Sequence, residues 1–391
     1  MVQPRRWKIP VAIAAILIAI PLAMALWVDL SARRRWSAAE SRTRELRAEW
    51  ERRDASRAPL RGSGLEGAAW DDYLQAYQKM SAYLATFPRT LPGDASVSSR
   101  LQDYLYNHPK SNKESVQQIV DALRPALLDL RNGVVRKYGR YPIDWSKFGD
   151  CPDLLMTMRL TNLALAQARL WRESGRAPEA IRLQLDVVRF CHDISRDGLP
   201  IAHTIGQNVA GSALKEIVGT LLQGNLSPTD LESAERELEV LEQTAPRLNG
   251  LLQERIDMGS LLERNPEAFD LYSGEWRYGF SSRLKAADIL DRVDALSRIQ
   301  GEWKDVCRSL EALRRDEREP ILTQLCASEI SRYKEAAAQA ARLRVLRTAT
   351  HWKRTGEKLT LQDPFGGELK VQESETGLKF SSADFSLELP K

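Results

Sequence analysis

"NLALAQARLWRESGRAPEAIRLQLDVV", residues 162–188, decides how the rest of the chain is read. The apolar spacing predicts one helix over Leu154–Glu173 and a second over Pro178–Arg196, joined by the turn "SGRA". Ala164, Ala168 and Ala180 are small enough to let the two helices approach closely. Trp171 supplies bulk where one hairpin meets the next.

The same periodicity extends in both directions. Upstream, Trp70, Tyr73, Tyr77, Met80 and Leu84 form one apolar helix face ending near Phe87-Pro88. Asp71 and Asp72 fall in its first turn, where carboxylates oppose the helix dipole. Helices are expected over 94–106 and 113–137, the second kinked at Pro125. Downstream, Ala202, Gly206, Ala210 and Ala213 give a helix a face of small residues, made either for close packing or for lining a groove, and His203 lies beside it. Ser227, Pro228 and Asp230 mark a further helix start. Helices over 246–264, 281–298, 301–314 and 318–350 complete the run.

The hairpin resembles a tetratricopeptide repeat. On that 34-residue frame Ala164, Ala168, Trp171, Gly175 and Ala180 match, while Gln184 and His192 depart from it. The resemblance implies stacked helix–turn–helix units with a binding surface. Two aromatic loops interrupt the helices, "KYGRYPIDWSKFGDCP" at 137–152 and "AFDLYSGEWRYGF" at 268–280. The candidate binding residues are therefore Tyr141, Trp145, Trp171, His203 and Gly206.

At the N-terminus, Ile9–Val28 is an uncharged run long enough to cross the ~30 Å hydrocarbon core as a helix. Trp7 and Trp27 stand at its ends, where indoles favour headgroups. Ala23-Met24-Ala25 also fits a signal-peptidase site. The run continues beyond it to Val28 and into a polar helix, which favours an anchor. In that helix Trp36, Ala39, Thr43, Leu46 and Trp50 follow 3-4-3-4 spacing, as in a stalk or a short self-association seam.

Residues 1–57 carry 12 basic and 6 acidic side chains, against 45 and 47 in the remainder. The positive excess thus lies beside the expected membrane and suits anionic headgroups. Nucleic acid is not an expected partner. Arg33, Arg34 and Arg35 oppose translocation of the downstream chain, whereas a short tail before a signal-like segment favours it. The balance favours a single-pass protein of a bacterial inner membrane with its body on the periplasmic, extracytoplasmic side.

"SRAPLRGSGLEGAA", residues 56–69, reads as a linker. After Gly356 the pattern turns to alternation, predicting three or four short antiparallel strands that must pack on the helices. Asp363-Pro364-Phe365-Gly366 and the strands after it resemble the C-terminal segment of type II secretion pseudopilins. The same turn, with "GAAWDDYLQA" and "YPIDW", also resembles a group of single-span, membrane-anchored helical bacterial proteins with no activity to transfer. The chain lacks a prepilin-peptidase start, so pilin assembly does not follow. In pseudopilins an acidic loop near this turn can hold calcium, and Asp363 is the one matching residue here.

The expected fold is therefore mainly α. It comprises a transmembrane anchor over 1–28, a helical stalk over 29–57, stacked hairpins forming a solenoid or irregular bundle over 68–350, and a β tail over 356–391. Four cysteines, Cys151, Cys191, Cys307 and Cys326, show no zinc spacing and read as partly buried free thiols, with disulfides, Cys307–Cys326 closing the shortest loop, as the alternative. Nucleophile-elbow, zincin and dinucleotide-binding patterns are missing from the sequence. No catalytic residue, metal or cofactor is assigned. The expected function is a membrane-tethered scaffold or adaptor binding another envelope protein or peptide, with self-association through the stalk as a further expectation. The alternatives are a helical envelope hydrolase or lyase, with Asp71, Asp72, Asp144 and His203 around one pocket, or an accessory part of a secretion or pilus-type system.

Overall fold

The computed structural model describes residues 8–55, 64–86, 97–107, 113–139, 154–196, 200–246, 250–264, 280–299, 301–317, 319–373, 377–383 and 385–390. The side chains of residues 8–18, Pro21, 54–55, 280–282 and Pro390 lie outside that description. Among the described residues the chain is mainly helical, with one three-stranded antiparallel sheet near the C-terminus. It divides into two compact units that interleave along the sequence, residues 1–57 with 250–328, and residues 58–249 with 329–391.

The first unit is built on α1, Lys8–Ala55, a 48-residue helix that carries the expected span and stalk without a break. No helix among the described residues is long and apolar enough to cross a membrane. Much of the run expected to do so, the side chains of 9–18 and Pro21, falls outside them. Trp36, Ala39, Thr43, Leu46 and Trp50 are all buried. Their partners come from the same chain, α10 (Gly250–Arg264) and α11 (Phe280–Ser297), which also bury Ile256, Ala287, Ile289 and Val293. Within this unit the seam is therefore covered by helices of the same chain. Arg255 sits wholly buried against it and donates to the Thr43 hydroxyl at 2.8 Å and to the Ala39 carbonyl at 3.4 Å. Gly259 leaves the space, since a Cβ there would stand 2.4 Å from Thr43 Oγ1. α12 (Trp303–Asp316) buries Val306, Cys307 and Leu310 in this unit.

The second unit opens with a surprise in the linker. Leu65–Ala68 is a strand, β1, running parallel to β2 (Arg136–Tyr138). Four residues are too few to carry a readable alternation, and Gly64 lets the chains meet because a Cβ there would lie 2.6 Å from the Val135 carbonyl oxygen. The pairing ties the start of α2 (Ala69–Ala85) to the end of α5 (Arg124–Val134). Arg136 reinforces it, donating to both Asp72 carboxylate oxygens at 2.7 and 3.3 Å and to the Glu66 carbonyl at 2.6 Å. The kink expected at Pro125 is a full break at Leu123, separating α4 (Lys113–Ala122) from α5. Between α2 and α4, α3 (Val97–Gln102) runs into a π-turn over Asp103–Asn107.

The expected hairpin forms as α6 (Leu154–Glu173) and α7 (Ala177–Ser195), with Gly175 at φ 81° in the turn. α8 (Pro200–Gln223) packs on α7. α9 (Pro228–Gln243) starts at a reciprocal capping box between Ser227 and Asp230. α13 (Pro320–Thr355) begins in the first unit and ends in the second. There Arg344 and Arg347 pair with Glu242, and Arg354 with Glu235, along α9. β3 (Lys370–Glu373), β4 (Gly377–Ser381) and β5 (Ser386–Pro390) follow in antiparallel order. Leu378, Phe380, Leu387 and Leu389 are buried in the helical core, and Trp352 meets Phe380 with ring centres 6.0 Å apart. The tail thus packs on the helices as its weak isolated stability requires. Asp363 closes the turn before the sheet, its Oδ1 accepting from the Phe365 amide at 2.9 Å and the Ser382 hydroxyl at 3.0 Å.

Candidate functional site

α4, α5 and α6 converge on a cleft of about 460 Å³, within the size range of small-ligand and peptide pockets. Helical spacing sets its walls: Lys113, Gln117 and Asp121 from α4, then Arg124, Leu127, Leu128 and Arg131 from α5. Gln167, Leu170 and Trp171 come from α6, with Ser174 and Arg176 from the turn and Leu183 from α7. Leu127, Leu170 and Leu183 are buried and form the floor. Leu128 stands exposed on one wall, and Trp171 is half-buried on another. The Arg176 guanidinium lies 5.0 Å from the Trp171 ring centre, a cation–π contact that steadies the indole.

The far side of α6 is pinned so that Trp171 keeps its place. Glu216 of α8 accepts from Arg169 at 2.5 Å and from Arg172 at 3.3 Å, and Arg169 also donates to the Tyr104 carbonyl at 2.7 Å. Gly219 makes room for Arg172, since a Cβ there would lie 2.4 Å from its guanidinium. A charge cluster with its hydrogen bonds made in this way holds geometry more than it adds stability.

A second, narrower crevice of about 190 Å³ lies between α7 and α9, and Arg131 lines both. Its walls are the i, i+3, i+4, i+7 face of α7 (Arg182, Leu185, Asp186, Arg189) and the matching face of α9 (Asp230, Ser233, Ala234, Glu237). Burial pushes the Asp186 carboxyl up to about 6, although Arg131 and Arg189 draw it down. Arg131 Nε reaches Asp186 Oδ2 at 3.4 Å.

Trp171 is the sequence-predicted residue that the cleft uses. His203 and Gly206 sit elsewhere, in the packing of α8 against α7. The small-residue face carrying Gly206 is buried, which settles it as close packing and not as a groove. A Cβ on Gly206 would stand 2.2 Å from Ser195 Oγ and 2.8 Å from the Cys191 carbonyl oxygen. His203 Nδ1 lies 3.3 Å from the Ser195 carbonyl oxygen, and burial lowers the ring to about 4. Asp72 is occupied by Arg136, so Asp72 and His203 serve different partners. Tyr141, Trp145, Asp144 and the loop 268–280 lie outside the described residues, as does Cys151. Among the described residues no cluster of His, Cys, Asp or Glu could hold a metal ion, and Asp363 spends its carboxylate on its own turn. The residues that sequence reasoning missed are Leu128, Arg131 and Asp186. Each lies on an ordinary amphipathic helix and gains meaning only where three helices meet.

No protein-family model, curated protein or solved structure matches the chain. The tetratricopeptide and pseudopilin resemblances rest on their motif residues alone.

Proposed function

We propose that this chain is a membrane-tethered helical scaffold that receives a peptide segment of another cell-envelope protein in the cleft beside Trp171. The observation that carries the reading is the cleft's make-up: buried leucines, a half-buried indole in cation–π contact with Arg176, and polar and charged side chains around them. Such a surface offers desolvated contact area with few fixed polar demands, which suits a side chain on a peptide. Tethering is supported by α1, on which Ile20, Leu22, Met24, Leu26, Trp27 and Leu30 are 51–71% exposed. Consecutive large apolar groups facing outward from a helix cost free energy in water and none in lipid. On this reading a bacterial inner-membrane anchor carries the body on its periplasmic side, as the sequence's short tail before a signal-like segment favours.

The test is photocrosslinking in intact membranes from a benzoylphenylalanine at position 128, on the cleft wall. A discrete protein adduct is expected, lost when Trp171→Ala is added. Crosslinking unaffected by Trp171→Ala removes the cleft from the reading. A reporter fused after Lys391 should be active only in its extracytoplasmic form, and cytoplasmic activity overturns the topology.

A further inference from the structure

Resting on the peptide-binding reading above, we propose that the cleft selects acidic peptides, with an Asp or Glu side chain paired to Arg131 and an apolar neighbour set against Trp171. Charge complementarity is the first argument. The lining holds four cations, Lys113, Arg124, Arg131 and Arg176, and one anion, Asp121. Each cation has an intramolecular partner: Glu173 at 2.9 Å, Asp121 at 3.0 Å, Asp186 at 3.4 Å and Glu179 at 3.0 Å respectively. Three of those four acids stand outside the cleft lining. The cation side chains are 46–69% exposed, and such pairs are worth about 0–1 kcal/mol. An incoming carboxylate exchanges with them at little cost.

Arg131 differs from the other three. Its bond to Asp186, like that of Arg176 to Glu179, is made by Nε, but at 3.4 Å it is the longest of the four, and the Arg176 guanidinium is also laid over the Trp171 ring. The guanidinium nitrogens of Arg131 form the planar fork that takes both oxygens of a carboxylate. The acid it now faces is largely buried, bounded by Arg182 and Arg189 on α7 and by Asp230 and Glu237 on α9. Arg189 is already paired with Glu237, and Arg182 lies 3.3 Å from Asp230. Arg131 is thus the lining cation with the longest hold on its present acid, and the one whose fork an incoming carboxylate takes over most readily. Leu128 and Trp171 line the same cleft and define where an aliphatic or aromatic residue packs.

The test is selection of a displayed random dodecapeptide library on the detergent-solubilised full chain. Enriched sequences are expected to place Asp or Glu within a few residues of an aromatic or aliphatic one. The best synthetic peptide should lose tenfold or more in affinity on Arg131→Gln and on Trp171→Ala. Changing its acid to the amide should cost tenfold on the wild type and almost nothing on Arg131→Gln. Both substituted side chains are partly exposed, and unchanged thermal melts verify that the variants fold. Enrichment of neutral or basic peptides, or an equal cost of the amide on both proteins, overturns the acidic selectivity while leaving peptide binding standing. Enrichment of nothing removes both.

Discussion

The ring of Tyr73 lies across Gly133 so closely that a Cβ on that glycine would stand 2.2 Å from Cε1 of the ring. This contact joins α2 to α5, and Tyr73 carries the order onward. Its hydroxyl donates to Asp193 Oδ2 at 2.6 Å, and its ring meets Phe190 edge-on at 4.7 Å. Gly133→Ala is expected to displace the ring and destabilise the protein by about 3 kcal/mol, from overpacking and a compromised buried hydrogen bond. Tyr73→Phe keeps the packing and should cost about 1.5–3 kcal/mol, as for a bond to a charged group. Urea titration separates the two, and an alanine variant as stable as wild type refutes the contact.

Acid should weaken the second unit through two buried imidazoles. Burial lowers His192 to about 3 and His203 to about 4, below the usual value of about 6.5. Between those values the unfolded chain binds more protons than the folded one, so stability is full above about pH 6.5 and falls as pH drops toward 4. Asp186 runs the other way: its raised value lowers stability as pH climbs from about 4 to 6. His203→Gln should flatten the acid limb of a melting-temperature profile, and Asp186→Asn should lift stability at neutral pH. Profiles unchanged by either substitution would contradict the burial described.

Buried Arg255 makes its hold on α1 testable by a mutant cycle. Thr43→Val removes a hydroxyl acceptor from a desolvated guanidinium and should cost about 1–3 kcal/mol. In an Arg255→Met background the same change should cost almost nothing, because no charge is left unserved. Equal costs in the two backgrounds would show that Thr43 acts through packing alone.

Cys191, Cys307 and Cys326 are buried thiols outside any disulfide, and burial raises the Cys191 thiol well above its ordinary range. Reductant should leave the melting temperature unchanged. Thiol reagents should label these three positions only after denaturant is added, as read by mass spectrometry.

The features legible in the sequence were local ones. The α6–α7 hairpin and the Ser227 cap each depend on a few adjacent residues and formed where expected, whereas the kink expected at Pro125 is a full break two residues earlier. The 3-4-3-4 spacing from Trp36 to Trp50 correctly marked a buried face, yet not the helices that bury it. Periodicity tells which side of a helix is covered and carries no address for its partner, here some 200 residues away. The cleft was legible only through Trp171. Arg131 and Asp186 are one residue each on exposed-looking helix edges, and their meeting depends on how α5, α7 and α9 cross.

The interleaving of the two units sets a schedule for synthesis. Residues 36–50 emerge early, but the helices that bury them, α10 and α11, begin at Gly250 and Phe280. At ~5–20 residues per second, two tryptophans and a leucine wait roughly 10–40 s before their cover is even translated. The last helix of the second unit's core arrives later still. Until α10 and α11 emerge the seam has no cover from its own unit, and truncations before about residue 300 should aggregate through it.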